Sequence, residues 1–95
     1  MDLGIAGRWA LVGGASKGLG LGCAQALARE GVNVLMVARG APALEAAAAA
    51  LGGRVPAGTR VQTLACDITT VDGREAIFSL RRDFDIVVTN AGGPP

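Results

Sequence analysis

Apolar residues fall along this chain in short dense runs, separated by stretches rich in glycine, alanine and charge. Trp9-Ala10-Leu11-Val12 ends on Gly13-Gly14, and Val32 to Ala38 forms a second run. Such runs, closed by glycine or charge, predict parallel strands covered on both faces. Between them, Gly18 to Glu30 sets Leu19, Cys23, Ala26 and Leu27 at spacings that fit one helical face, and Gly31 offers a stop. Pro42 to Leu51 predicts a second helix through its Ala, Leu and Glu content, which Gly52-Gly53 ends.

The third run, Val61 to Cys66, is mixed in character and predicts a strand that ends at Asp67. Thr69 and Asp72 are spaced as a helix cap and its partner, opening a short helix through Ala76, Ile77 and Leu80. Asp85 to Thr89 supplies a fourth strand, and Asn90 to Pro95 interrupts regular structure. The order is βαβαβαβ. It predicts an α/β unit of three layers, with helices on both sides of a mainly parallel sheet and right-handed crossovers returning each strand beside its predecessor.

Composition narrows the functions open to such a unit. The 95 residues are 51% apolar, which suits one domain with no linker to a second. Nine Lys and Arg against eight Asp and Glu leave a formal charge of +1, so no nucleic-acid surface is expected. Trp9, Phe78 and Phe84 are the aromatic residues, so the core is aliphatic; there is no Tyr and no His. Cys23 and Cys66 are far apart, without the spacing of a metal site or a disulfide framework, and suit a reducing compartment. Met1-Asp2-Leu3-Gly4 lacks the basic flank and apolar core of a secretory signal. The alanine run of Ala41 to Leu51 is too short for a membrane span. The expectation is a soluble, cytoplasmic protein.

Chemistry concentrates where the predicted strands end. Gly13-Gly14-Ala15-Ser16-Lys17-Gly18-Leu19-Gly20 lies between a strand and a helix. There, glycines let the backbone turn tightly and approach a pyrophosphate, and the positive end of the following helix favours its charge. A flexible loop is the alternative, and the strand-loop-helix setting weighs against it. A nucleotide-triphosphate loop is excluded, because Lys17 precedes Gly18 and no Gly-Lys-Ser or Gly-Lys-Thr occurs. Ser16 would meet a phosphate or cap the helix, and Lys17 would neutralise phosphate or stand in solvent.

At the end of the second strand, Ala38-Arg39 offers no carboxylate to a ribose, whereas Arg39 suits the extra phosphate of NADP. NADP is therefore favoured over NAD, unless Arg39 is only a surface residue after a strand. Asp67 would accept a hydrogen bond from adenine beside the Ile68 backbone, or else cap a helix. Asn90-Ala91-Gly92, after the fourth strand, would form a small turn open to close cofactor approach, or a purely structural one.

Taken together, the glycine-rich stretch, Cys66-Asp67-Ile68 and Asn90-Ala91-Gly92 arrive in the order and approximate spacing of the short-chain dehydrogenase/reductase family, which the chain resembles. It is similar to NADP-dependent members, 3-oxoacyl-acyl-carrier-protein reductase-like proteins among them. The resemblance implies four strands of a larger doubly wound, Rossmann-like fold, with residues 1–95 as the N-terminal portion of one NADP-binding domain. It implies Gly14, Ser16, Lys17, Gly18, Leu19 and Gly20 around the cofactor's phosphates, Arg39 at the 2'-phosphate, and Asp67 and Ile68 at adenine. Asn90, Ala91 and Gly92 would lie by the nicotinamide-side ribose. Where the family motif often begins with Thr this chain has Gly13, so one steadying hydrogen bond of the turn is missing.

Complete members of the family transfer hydride between nicotinamide and a carbonyl or alcohol, using Ser, Tyr and Lys from a later part of the domain. None of these carries over. The chain has no Tyr, Lys17 belongs to the glycine loop, and neither Ser16 nor Ser79 stands where the later motif would occur. The expectation is a cofactor-binding segment of an NADP-dependent oxidoreductase that is inactive alone. The alternatives are a nonenzymatic NADP-binding or regulatory module, or an inactive structural fragment. A substrate and a homo-oligomer are expected only of a longer form. Ile86-Val87-Val88 would be an interior strand in a larger relative and an open, association-prone edge here.

Overall fold

A computed structural model describes residues 7–89. The apolar runs become β1 (Trp9–Gly13), β2 (Asn33–Ala38), β3 (Val61–Ala65) and β4 (Ile86–Val88), and the stretches between them α1 (Gly18–Arg29), α2 (Ala41–Gly52) and α3 (Val71–Leu80). All strand pairs are parallel, and the sheet order is β3-β2-β1-β4. The chain thus forms the expected α/β unit, with one correction. β4 does not return beside β3; it crosses to the other side of β1 and pairs Leu11 with Val87. The dense runs explain this order. β1 and β2 are buried along their whole length and take the two central places, whereas the mixed β3 is only partly covered and takes an edge.

Side chains alternate across the sheet and feed two separate cores. Ala10, Val12, Val34 and Met36 face α1 and α2, joining Ala24, Ala28, Leu44 and Leu51 in one cluster. Leu11, Leu35 and Val37 face the other way and meet Ile77 of α3. Fully burying a leucine such as Leu44 contributes roughly 1.5–3 kcal/mol, so the two leucines of α2 alone hold that helix firmly.

The buried face of α1 differs from the face the sequence suggests. Gly20, Ala24 and Ala28 are buried, while Leu19 is 73% exposed and Cys23 and Leu27 only flank the contact. The smallest residues take the inside because they let the helix axis approach the strands. Gly31 ends α1 as expected, at φ 84°, with its N–H donated to Ala28 O and the Val32 N–H to Leu27 O. These two bonds satisfy last-turn carbonyls in the left-handed glycine stop. The cap of α3 is Thr70 rather than Thr69: its hydroxyl accepts from the Gly73 N–H at 3.0 Å.

One buried polar side chain ties the far end of the sheet. Asn33 donates to Gly7 O at 3.2 Å and accepts from the Arg60 N–H at 2.8 Å, bracing the approaches to β1 and β3 from the start of β2. Nearby, the Arg81 guanidinium lies 3.9 Å over the Trp9 ring. The opposite end, where the strands point their carboxyl termini, carries the loops of chemical interest.

Candidate functional site

From β1 the chain steps to β2 and β3 in one direction, then reverses to the far side of β1. Such a reversal separates the loops that leave neighbouring strands and opens a crevice at their carboxyl ends, a favoured ligand site in open α/β sheets. The glycine-rich loop leaves β1 into that crevice, Arg39 follows β2, and Asp67 and Ile68 follow β3. Asn90, Ala91 and Gly92 lie outside the described residues.

Each glycine of the loop answers a separate demand. Gly14 and Gly18 hold φ of 63° and 61°, the left-handed region costly for other residues. A Cβ on Gly18 would meet nothing within 4 Å, so space stands open above the start of α1. A Cβ on Gly20 would overlap the Gly14 carbonyl and stand 3.0 Å from Gly13 O, so this glycine is what lets α1 sit against the end of β1. Ala15, fully buried, donates its N–H to Val37 O at 3.1 Å and pins the loop to β2.

The loop leaves the helix start uncapped. Lys17 is the cap residue, in extended conformation, and makes no side-chain bond to the first turn; Ser16 does not take that role. No acidic residue occupies the first turn of α1 either. First-turn amides, the positive end of the helix dipole and the exposed Lys17 together fit an anion. Leu19 is exposed beside them.

The absent Thr at position 13 has a structural counterpart. A Cβ there would lie 3.2 Å from Ile68 Cδ1, so the Ile68 side chain leans over the bare backbone where β1 ends. Hydrophobic contact couples two segments of the site where the resembling family often has a hydroxyl.

Arg39 and Asp67 follow the ends of the neighbouring strands β2 and β3. The ladder pairs Ala38 with Ala65, and the Cys66 N–H donates to Ala38 O at 3.0 Å. Asp67 is held by the residues that follow it. Its Oδ1 accepts from Thr69 Oγ1 at 2.6 Å and from the Thr69 N–H at 2.9 Å. The Thr69 hydroxyl first, then its N–H, and finally the Arg39 charge draw the Asp67 carboxyl below the usual carboxylate range. Partial burial, and then the Asp67 charge, push the Cys66 thiol up, so it is a poor nucleophile.

Sequence reasoning found Asp67 but not its supports. The Asp67 carbonyl accepts from the Thr70 N–H at 3.1 Å and from Thr70 Oγ1 at 2.8 Å. Gly73 is required because a Cβ there would overlap that same carbonyl. The signal was available: Asp-x-Thr is a turn in which the carboxylate accepts from backbone two residues on, and a glycine inside a helical stretch points to a close approach.

Both cysteines are free, and no cluster of three or more His, Cys, Asp or Glu that could hold a metal occurs among the described residues. Among them, no helix is long and apolar enough to cross a membrane.

Comparison with known proteins agrees with this geometry. The family model described as short chain dehydrogenase matches residues 8–95. Gluconate 5-dehydrogenase of Gluconobacter oxydans is 37% identical over 92 residues, covering 93% of this chain and 35% of the relative. The mouse protein named inactive hydroxysteroid dehydrogenase-like protein 1 is 34% identical over 91 residues, covering 90% of this chain and 26% of its own length. The crystal structure of L-sorbose reductase from Gluconobacter frateurii, complexed with NADPH and L-sorbose, superposes with a TM-score of 0.88 at 39% identity. That match covers 100% of this chain and 37% of the reductase. The Pseudomonas aeruginosa RhlG/NADP complex gives a TM-score of 0.80 at 35% identity over 97% of this chain and 35% of its own. The chain therefore spans between about a quarter and just over a third of the length of these relatives.

Proposed function

The chain belongs to the short-chain dehydrogenase family, and from that premise we propose that it binds NADP(H) and recognises the 2'-phosphate through Arg39. The observation that carries this reading is the paired arrangement of an uncapped, glycine-bounded helix start and an exposed arginine after the neighbouring strand. The α1 amides and Lys17 would hold the pyrophosphate, with Ser16 beside them, and Gly14, Gly18, Leu19 and Gly20 would wall that side. Arg39 would pair with the 2'-phosphate in a charge-assisted contact. Asp67 and Ile68 would meet adenine, and Asn90, Ala91 and Gly92 would approach the nicotinamide-side ribose. That two of the similar solved structures hold NADPH or NADP supports the choice of cofactor.

When bound, the cofactor supplies hydride. This chain's own residues bind and orient it, and no Tyr is present in the sequence to carry the proton that carbonyl reduction needs. In this reading residues 1–95 are the N-terminal portion of one Rossmann domain, acting in a reducing cytoplasm that suits its free cysteines. Hydride exchange with a carbonyl or alcohol, as a reductase or alcohol dehydrogenase, belongs to a longer form that supplies the Ser-Tyr-Lys region. The chain by itself is a binding module.

The test is a fluorescence titration with NADPH and NADH. NADPH is expected to bind more tightly, on the order of tenfold or more, and Arg39→Ala to narrow the difference. Equal affinities in the parent protein would sink the assignment. With NADPH and a panel of ketones and aldehydes the same protein is expected to show no turnover.

A further inference from the structure

We infer that Thr69 is the positioning residue for adenine recognition: it grips Oδ1 of Asp67 and so aims Oδ2 at the 6-amino group of the base. The inference rests on the proposed reading of the crevice as a dinucleotide site and assigns a role to a residue that the family motifs leave unassigned. Thr69 donates twice to one carboxylate oxygen, from its hydroxyl at 2.6 Å and its backbone N–H at 2.9 Å. A carboxylate carries about four lone-pair sites over two oxygens, so Oδ1 is filled and the carboxyl plane is fixed. No hydrogen bond to Oδ2 occurs among the described residues, which leaves that oxygen as the acceptor for an exocyclic amine.

The backbone beneath is equally constrained. Two donors from Thr70 close on the Asp67 carbonyl, and Gly73 packs against it with no room for a Cβ. Rotation of the carboxyl group is thus the remaining freedom, and Thr69 removes it. Thr69 is itself exposed, so its bonds to Asp67 are not needed to fill a core. The Thr69 hydroxyl adds to the turn's backbone bond a second donor on the same oxygen, which fixes the direction of the carboxylate. Arg39, from the end of β2, is the charged group that acts on Asp67, and Asp67 in turn raises the neighbouring Cys66 thiol.

The experiment compares adenosine 2',5'-bisphosphate with its purine analogue, which lacks the 6-amino group, by isothermal titration calorimetry. The ratio of the two affinities cancels the titration of the phosphates. The parent protein is expected to prefer the adenine ligand on the order of tenfold, the scale of a hydrogen bond to a charged group. Thr69→Val, whose fold is checked by circular dichroism, loses the hydroxyl donor but keeps the backbone one and should lower the ratio about threefold, while Thr69→Ser should restore it. The acid limb of the ratio should also move to higher pH in Thr69→Val, because the carboxyl loses the hydroxyl donor that holds it ionised. Thr69→Val retaining the parent's preference overturns this inference alone. Failure of the parent to bind either ligand overturns the dinucleotide reading and this inference with it.

Discussion

The two faces of the sheet are built from the same strands yet are finished to different degrees. On one, α1 and α2 cover Ala10, Val12, Val34 and Met36, and the cluster runs unbroken from β1 to Leu51. On the other, α3 stands alone, with Ile77 as its one fully buried apolar anchor against Leu11, Leu35 and Val37. Val87 of β4 is 58% exposed, Phe78 and Leu80 of α3 are exposed, and a cleft of about 260 Å³ opens between that helix and β4. The contrast teaches that, among the described residues, two central strands are fully covered while one face is covered less than the other. The crevice at the carboxyl ends of the strands lies at the end of both faces, with the glycine-rich loop on the finished one and Asp67 shortly before the start of α3.

The largest test of that contrast is Leu44→Ala on the covered face. It should cost about 2–5 kcal/mol in urea denaturation, because the cavity opens in a packed cluster. A cost under about 0.5 kcal/mol would mean that the covered face is loose. Next comes Gly20→Ala, expected to cost about 1–3 kcal/mol through overpacking against the Gly14 carbonyl, and to weaken NADPH binding by displacing the α1 start. Unchanged affinity would separate the loop from the phosphate site.

On the α3 side, Asp67→Asn should flatten the acid limb of thermal stability. Folding depresses the Asp67 pKa, chiefly through the Thr69 hydroxyl, so the ionised form is favoured in the native state. Its stabilising share is present at neutral pH and is lost as pH falls through the depressed native value. An acid limb identical in the variant would remove Asp67 from that linkage. The smallest effect is expected of Val87→Thr, within about 0.5 kcal/mol, since its side chain is mostly in solvent. Measured beside Leu44→Ala, a comparable loss would show that the open face is covered in solution.

The glycine loop was legible because every signal in it is local. Left-handed φ at Gly14 and Gly18, and the close approach at Gly20, depend on residues within one turn of chain. The four strands and three helices were legible for the same reason, with ends shifted by a residue or so. The face of α1 was legible in part. Cys23 and Leu27 pack against the core as expected, but Leu19 and Ala26 are exposed, and the small residues Gly20, Ala24 and Ala28 take the buried positions closest to the sheet. Of the two threonines that the sequence offers as the cap of α3, Thr70 takes it, while Thr69 bonds Asp67.

By itself the sequence determined the alternation of strands and helices, the glycine-bounded loop after β1 and the choice of a basic rather than an acidic residue after β2. Each follows from hydrophobic periodicity, backbone freedom and charge, which act over a few residues. Only the tertiary structure decided that β4 joins β1, which opens the crevice where the strand order reverses, and that the charge of Arg39 reaches Asp67 there. Among the described residues it also left one sheet face less covered than the other. Those outcomes depend on which distant surfaces pack best, and no local pattern carries that comparison.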